Sequence, residues 1–129
     1  MLWLVSSNSM LRQREAPTRE QADATIDAFV SKYVETADAN DVLYALEASG
    51  DYDPGPGLER IRAPLLAINT ADDLINPPEL GILEREVKRV PRGRALVLAF
   101  SVRTRGHGSH TVAALWKDRL AAFLKETAP

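Results

Sequence analysis

Two short apolar runs with a helical pattern between them constrain this chain's fold more than any other feature. Pro64-Leu-Leu-Ala-Ile-Asn69 and Arg94-Ala-Leu-Val-Leu-Ala-Phe100 are each bounded by turn residues. That suits strands buried on both faces, as in parallel sheets. Between them, Asn76 followed by Pro77 and Pro78 marks a helix start, with Glu79 in the first turn and Lys88 and Arg89 in the last. Leu80, Leu83 and Val87 give that helix one apolar face, and Pro91-Arg-Gly93 ends it. Strand, helix and strand in this order make a right-handed crossover, which places the strands parallel. After a polar loop from Ser101 to Ser109, a last helix is expected to bury Val112, Leu115, Trp116, Leu120, Phe123 and Leu124. The expected fold class is therefore α/β. Two parallel strands leave both sheet edges bare, so they read as the end of a larger sheet.

Upstream the pattern is helical. Thr18-Arg19-Glu20-Gln21 has the form of a capping box, and Ile26, Phe29, Val30, Tyr33 and Val34 recur at helical spacing. A helix is expected over about residues 19–36. A second is expected after Asn40 as its cap, burying Val42, Leu43 and Leu46 and stopping at Gly50. The rigid turn Asp51-Tyr-Asp-Pro-Gly-Pro-Gly57 is the natural boundary. It divides a helical segment, 1–55, from a βαβα portion, 56–129.

Composition excludes several function classes. The 129 residues carry a net charge of -2 with no block of Lys and Arg, so there is no electrostatic case for nucleic acid. The chain has no cysteine, which rules out disulfides and thiolate chemistry. Met1-Leu-Trp-Leu-Val5 is too short for a signal core, and no apolar run approaches a membrane span. A cytoplasmic protein is the default expectation.

Loops that follow parallel strands converge at one sheet edge, where ligand sites of open α/β sheets lie. The first such loop carries Asp72 and Asp73; the second carries His107 and His110. An acid and a histidine delivered to one edge can act as orienting carboxylate and general base. Glycines on both sides of His107 leave its backbone free of neighbouring side chains. Bland roles compete: Asp72 suits a turn or helix cap, and a histidine in a glycine loop can be structural. His107, His110 and Asp73 could instead ligate a metal, although no H-E-x-x-H spacing is present. Arg103 and Arg105 could meet an anionic substrate, or simply form a solvated face, and Trp116 reads as core. No metal or resident cofactor is expected.

The nucleophile is the gap. Where such an acid–histidine pair serves a serine on an α/β sheet, the order along the chain is nucleophile, acid, base, with the serine in a G-x-S-x-G elbow. No serine here lies between two glycines at that spacing, and Ser109 sits on the loop that already supplies His107. The missing serine is expected upstream of Met1.

At these residues the chain resembles the homoserine O-acetyltransferase family of α/β-hydrolase-fold proteins. Asp72-Asp73-Leu-Ile-Asn-Pro-Pro-Glu79 is similar to the family's acid motif, Gly106-His107 to its base motif, and Asp38-Ala-Asn-Asp-Val-Leu-Tyr44 to a cap helix. The likeness covers about residues 36–125. It implies that Asp73 is the acid and His107 the base, in a cap followed by the C-terminal portion of a hydrolase-type domain. It also implies acyl transfer in a longer protein, with a small-molecule acceptor and acetyl-CoA as a possible donor. Gly108-Ser-His110 after the base departs from the family pattern, which leaves esterase-type hydrolysis open. Alone, the 129 residues are expected to be inactive. The rival expectation is a non-catalytic interaction module that associates through its bare sheet edge, with itself or with a partner.

Overall fold

A computed structural model describes residues 7–128. The Met1–Val5 run lies outside the described residues. The chain forms two compact units: the described residues up to Leu11 together with those from Gly55 onward, and Arg12–Pro54. A first short helix, α1, is Ser9–Glu15.

The unit that begins again at Gly55 is built on two strands, β1 (Leu65–Thr70) and β2 (Gly93–Leu98), paired in parallel from Leu65 opposite Gly93 to Thr70 opposite Leu98. A small α/β arrangement with a two-stranded parallel sheet is thus present. The strands sit slightly off the expected spans. Pro64 has no N–H to give, and the pairing opens with Leu65 N–H donating to the Arg92 carbonyl at 3.1 Å. At the far end β1 runs out at Thr70, so Ala99 and Phe100 have no partner and leave β2; Phe100 is 48% exposed. Neither strand is buried on both faces. Leu65–Asn69 are half-buried, and Arg94 and Ala95 are exposed.

Gly93 opens β2 for a steric reason. A Cβ there would lie 2.5 Å from the Val87 carbonyl and 2.8 Å from the Val90 Cβ. Val90 is buried, so neither neighbour can retreat cheaply. Gly93→Ala is expected to cost about 1–3 kcal/mol by overpacking. Faster hydrogen exchange of the β1 and β2 amides would register it; unchanged exchange would show that the strand start adapts.

The crossover is shorter and more broken than the sequence pattern suggests. Pro78–Leu80 forms one 3-10 turn, Gly81 adopts a left-handed conformation (φ 63°), and only Ile82–Val87 is α-helical, α4. Lys88 and Arg89 therefore fall past the helix, and Leu80 is exposed instead of lining a core face. Arg89 holds the connection in place. Its guanidinium donates to Glu59 and Glu86, both at 2.7 Å, and to the Gly55 carbonyl at 2.8 Å. The last helix, α5, begins only at Lys117 and ends at Thr127. Val112, Leu115 and Trp116 lie in or beside two 3-10 turns before it, and Leu124 is 57% exposed. Arg94 clamps β2 to α5 through a two-pronged pair with Glu126 at 2.6 and 2.7 Å.

In the Arg12–Pro54 unit, α2 (Arg19–Thr36) forms at its expected start signal, and α3 (Ala39–Gly50) begins one residue before its own. The capping box is made: Gln21 N–H donates to Thr18 Oγ1, and Thr18 N–H to Gln21 Oε1. The second helix is capped by Asp38 rather than Asn40, because the Asp38 carboxylate reaches the N–H groups of both Asn40 and Asp41. The apolar stripes are not buried. Phe29 stacks on Tyr33 at 6.3 Å, yet Ile26, Phe29, Val30 and Tyr33 are 39–49% exposed, and Leu46 is 67% exposed. Amphipathic periodicity reports which face is apolar, not whether anything covers it. Among the described residues no helix is long and apolar enough to cross a membrane.

Candidate active site

The most buried part of the sheet-bearing unit is polar. Beside Leu11 and Val90, the buried residues there are Ser7, Asn8, Thr70, Asp73, Thr104, Gly106 and Ser109. Most of these converge on the two loops that leave the C-terminal ends of β1 and β2.

The first loop turns at once, with Asp73 N–H donating to the Thr70 carbonyl at 3.2 Å. Asp73 is 5% exposed, and its Oδ1 accepts from the N–H groups of Ile75 at 2.8 Å and Asn76 at 2.9 Å. This is an Asx turn, the local bonding that Asp favours. Asn69 closes the loop by donating from Nδ2 to the Asn76 carbonyl. One carboxylate oxygen is thus pinned by backbone, and Oδ2 is left pointing away from the turn.

The second loop is anchored by residues distant in sequence. The Thr104 side chain, 1% exposed, lies 2.8 Å from Asp72 Oδ2. Asn8 Nδ2 donates to the carbonyls of Thr104 at 2.6 Å and Ser101 at 2.9 Å. Gly106 stands at φ 54°, a conformation that only glycine adopts freely, with its N–H on Asp72 Oδ2 and its carbonyl accepting from Thr70 Oγ1. His107 follows and opens a 3-10 turn, Gly108–Thr111.

These constraints bring Asp73 Oδ2 to 3.1 Å from His107 Nδ1. A carboxylate only accepts, so Nδ1 carries a proton, and in the neutral ring the lone pair is on Nε2. The His107 side chain is 33% exposed and Asp73 lies beneath it. Burial alone raises the Asp73 pKa, but the Asn76 N–H, the His107 ring and the Ile75 N–H outweigh it, and the carboxyl titrates below its ordinary value. Because the folded pKa is the lower one, Asp73 contributes stability above its unfolded pKa of about 3.9, and that contribution is lost as pH falls through the folded value. A 13C titration of this carboxyl is expected to show a lower midpoint than in the urea-unfolded chain. An equal or higher midpoint would mean that the three donors are not in place.

The other sequence candidates fall as follows. Asp72 caps no helix; it bridges the acid loop to the base loop, a pairing across more than thirty residues that local spacing cannot show. Ser109 is buried, with its hydroxyl accepting the Arg105 N–H at 2.8 Å. Arg103 and Arg105 are exposed. Trp116 is half-buried rather than core, and its Nε1 donates to the His110 carbonyl. Asn8, Thr70, Thr104 and Asn76 also belong to the site, and only Asn76, as a helix-start residue, carried any sequence signal.

Asp73 and His107 open onto a cavity of about 590 Å³, a size that suits a small molecule. Its apolar wall comes from Ile68, Leu80, Ile82, Leu83, Leu98 and Trp116, and its polar side from Asn69, Asn76, His107 and His110. Comparison with protein-family models, with curated proteins and with solved structures gives no match for this chain.

Proposed function

We propose that Asp73 and His107 are the orienting acid and general base of an acyl-transfer site of the α/β-hydrolase type, whose serine comes from outside these 129 residues. The observation that carries this reading is the 3.1 Å approach of a buried, amide-pinned carboxylate to the Nδ1 of a cavity-facing histidine, on loops that follow two paired parallel strands. A serine hydroxyl placed at His107 Nε2 would lose its proton there as its oxygen attacks the acyl carbonyl. His107 would return that proton to the leaving group, then take another from the acceptor as it attacks the acyl-serine and give it to the departing serine oxygen. The oxyanion would be held by backbone N–H groups that this chain does not supply.

The resemblance to homoserine O-acetyltransferases supports an acetyl group, acetyl-CoA as its donor and a small-molecule acceptor, with the Asp38–Tyr44 stretch as part of a cap helix. Gly108-Ser-His110 after the base departs from that family's pattern, and the alternative is water as the acceptor, that is, an esterase. A fluorophosphonate probe is expected to label no serine of the purified chain, with ester hydrolysis near background. In-frame codons upstream of Met1 are expected to encode a Gly-x-Ser-x-Gly elbow; the longer product should turn over esters and lose that turnover in His107→Ala. Serine labelling of the 129 residues themselves, or turnover indifferent to His107, would overturn the reading.

One observation favours a second reading. Among the described residues β1 and β2 have only each other as strand partners, so each keeps an outer edge of unpaired N–H and C=O groups. An interaction module pairing through that edge should associate with rising concentration and protect alternate strand amides. A concentration-independent monomer with fast-exchanging edges would count against it.

A further inference from the structure

His107 and His110 are the only histidines of the chain. The 3-10 turn Gly108–Thr111 sets their ring centres 5.2 Å apart, with the planes inclined by 59°. Each Nδ1 is already engaged: on Asp73 Oδ2 at 3.1 Å for His107, and on the His107 carbonyl at 2.6 Å for His110. Both partners only accept, so both rings carry a proton on Nδ1, and in the neutral rings the lone pair is on Nε2. That is the outer-shell bonding typical of metal-ligating imidazoles, which donate the other ring N–H to a carboxylate or a carbonyl.

The spacing fits the same chemistry. An ion about 2.0–2.1 Å from a ring nitrogen lies roughly 3.2 Å from the ring centre, so two imidazoles at a tetrahedral angle have centres about 5.2 Å apart. Both side chains line the cavity.

We infer that the Nε2 atoms of His107 and His110 form a two-imidazole site for a first-row transition-metal ion of the zinc or copper(II) class, open to the cavity. Asp73 is not a third ligand: Oδ2 serves His107 and Oδ1 serves two backbone amides. No group of three or more His, Cys, Asp or Glu that could hold a metal occurs among the described residues. The remaining coordination positions therefore belong to water or to a small ligand entering the cavity, as in open rather than structural sites. Imidazole pairs favour zinc, nickel and copper over magnesium or calcium. Bound metal would occupy the lone pair that a general base needs, so the ion would silence His107. That consequence rests on the acyl-transfer reading; the binding does not.

Zinc chloride titrated into the untagged protein near neutral pH, followed by calorimetry and by long-range 15N–1H spectra of the two rings, tests the site. The expected result is one ion per chain, with the Nε2 signals of both rings shifted and both Nδ1 protons retained. His110→Gln should weaken binding at least tenfold, and Asp73→Asn by about 10–100-fold through loss of the ring's orienter. Absence of saturable binding, a shift at one ring alone, or His110→Gln binding as tightly as the parent would overturn the site. If His110→Gln fails to fold, the two-ring shift in the unsubstituted protein decides. Either outcome leaves the acid–base reading standing, because that reading needs no metal.

Discussion

Asp73→Asn is expected to reverse the tautomer of His107 while leaving the fold intact. The Asn side chain can still accept the Ile75 and Asn76 N–H groups through its oxygen, so the turn that positions residue 73 should survive. Its other arm becomes an NH₂ group facing His107 Nδ1 at the present 3.1 Å contact. Two donors cannot pair, so the imidazole proton moves to Nε2 and Nδ1 becomes the acceptor. The lone pair that faced the cavity is then gone. In triad enzymes this exchange, with geometry preserved, lowers turnover by roughly 10⁴-fold. A drop of that order is expected in the longer, nucleophile-bearing product. In the 129 residues themselves the reversal is visible as a swap of protonated and bare nitrogen shifts in long-range 15N spectra. Retention of the Nδ1 proton in the variant would remove Asp73 from the role of orienter.

The second large effect belongs to a residue that no motif marks. Thr104→Val is expected to destabilise the sheet-bearing unit by about 2–4 kcal/mol, because it removes a hydroxyl from a nearly sealed polar cluster. The Thr104 hydroxyl lies 2.8 Å from both Asp72 Oδ2 and the Ser101 carbonyl, and its one proton is best used on the charged partner. It also accepts from Ser101 N–H and Asn8 Nδ2, each at 3.2 Å. A valine methyl serves none of these groups, although its volume is close. Hydrogen exchange of the Leu65–Thr70 amides reports the loss for this unit separately, which a global melt of a two-unit chain would blur. A change under about 0.5 kcal/mol, the size of an ordinary surface substitution, would show that the cluster can exchange Thr104 for water. The base loop should loosen with it, since Asp72 would hold that loop only through the Gly106 N–H.

Local bonding explains what could be read in advance. The capping box at Thr18–Gln21 and the stop near Gly50 involve residues at most a turn apart, so type and spacing are enough to specify them. The helix expected over residues 76–90 failed for an equally local reason that spacing obscured: Gly81 in the left-handed region splits it into a 3-10 turn and one short helix. The apolar faces of α2 and α3 were legible as faces. Their exposure was not, because burial depends on what packs there.

For the site, the sequence by itself determined the chemical types and their order: an acid after one parallel strand, a histidine between glycines after the next, and no serine elbow. Period and turn chemistry are properties of neighbouring residues, so one chain read in order suffices for them. Only the tertiary structure decided that Asp73 Oδ2 lies against His107 Nδ1, that Asp72 ties the two loops together, and that Asn8 secures the base loop from over ninety residues away. Each of those contacts satisfies a buried polar group with a partner distant in sequence. Such pairings are chosen by burial and geometry, which exist only once the chain has folded.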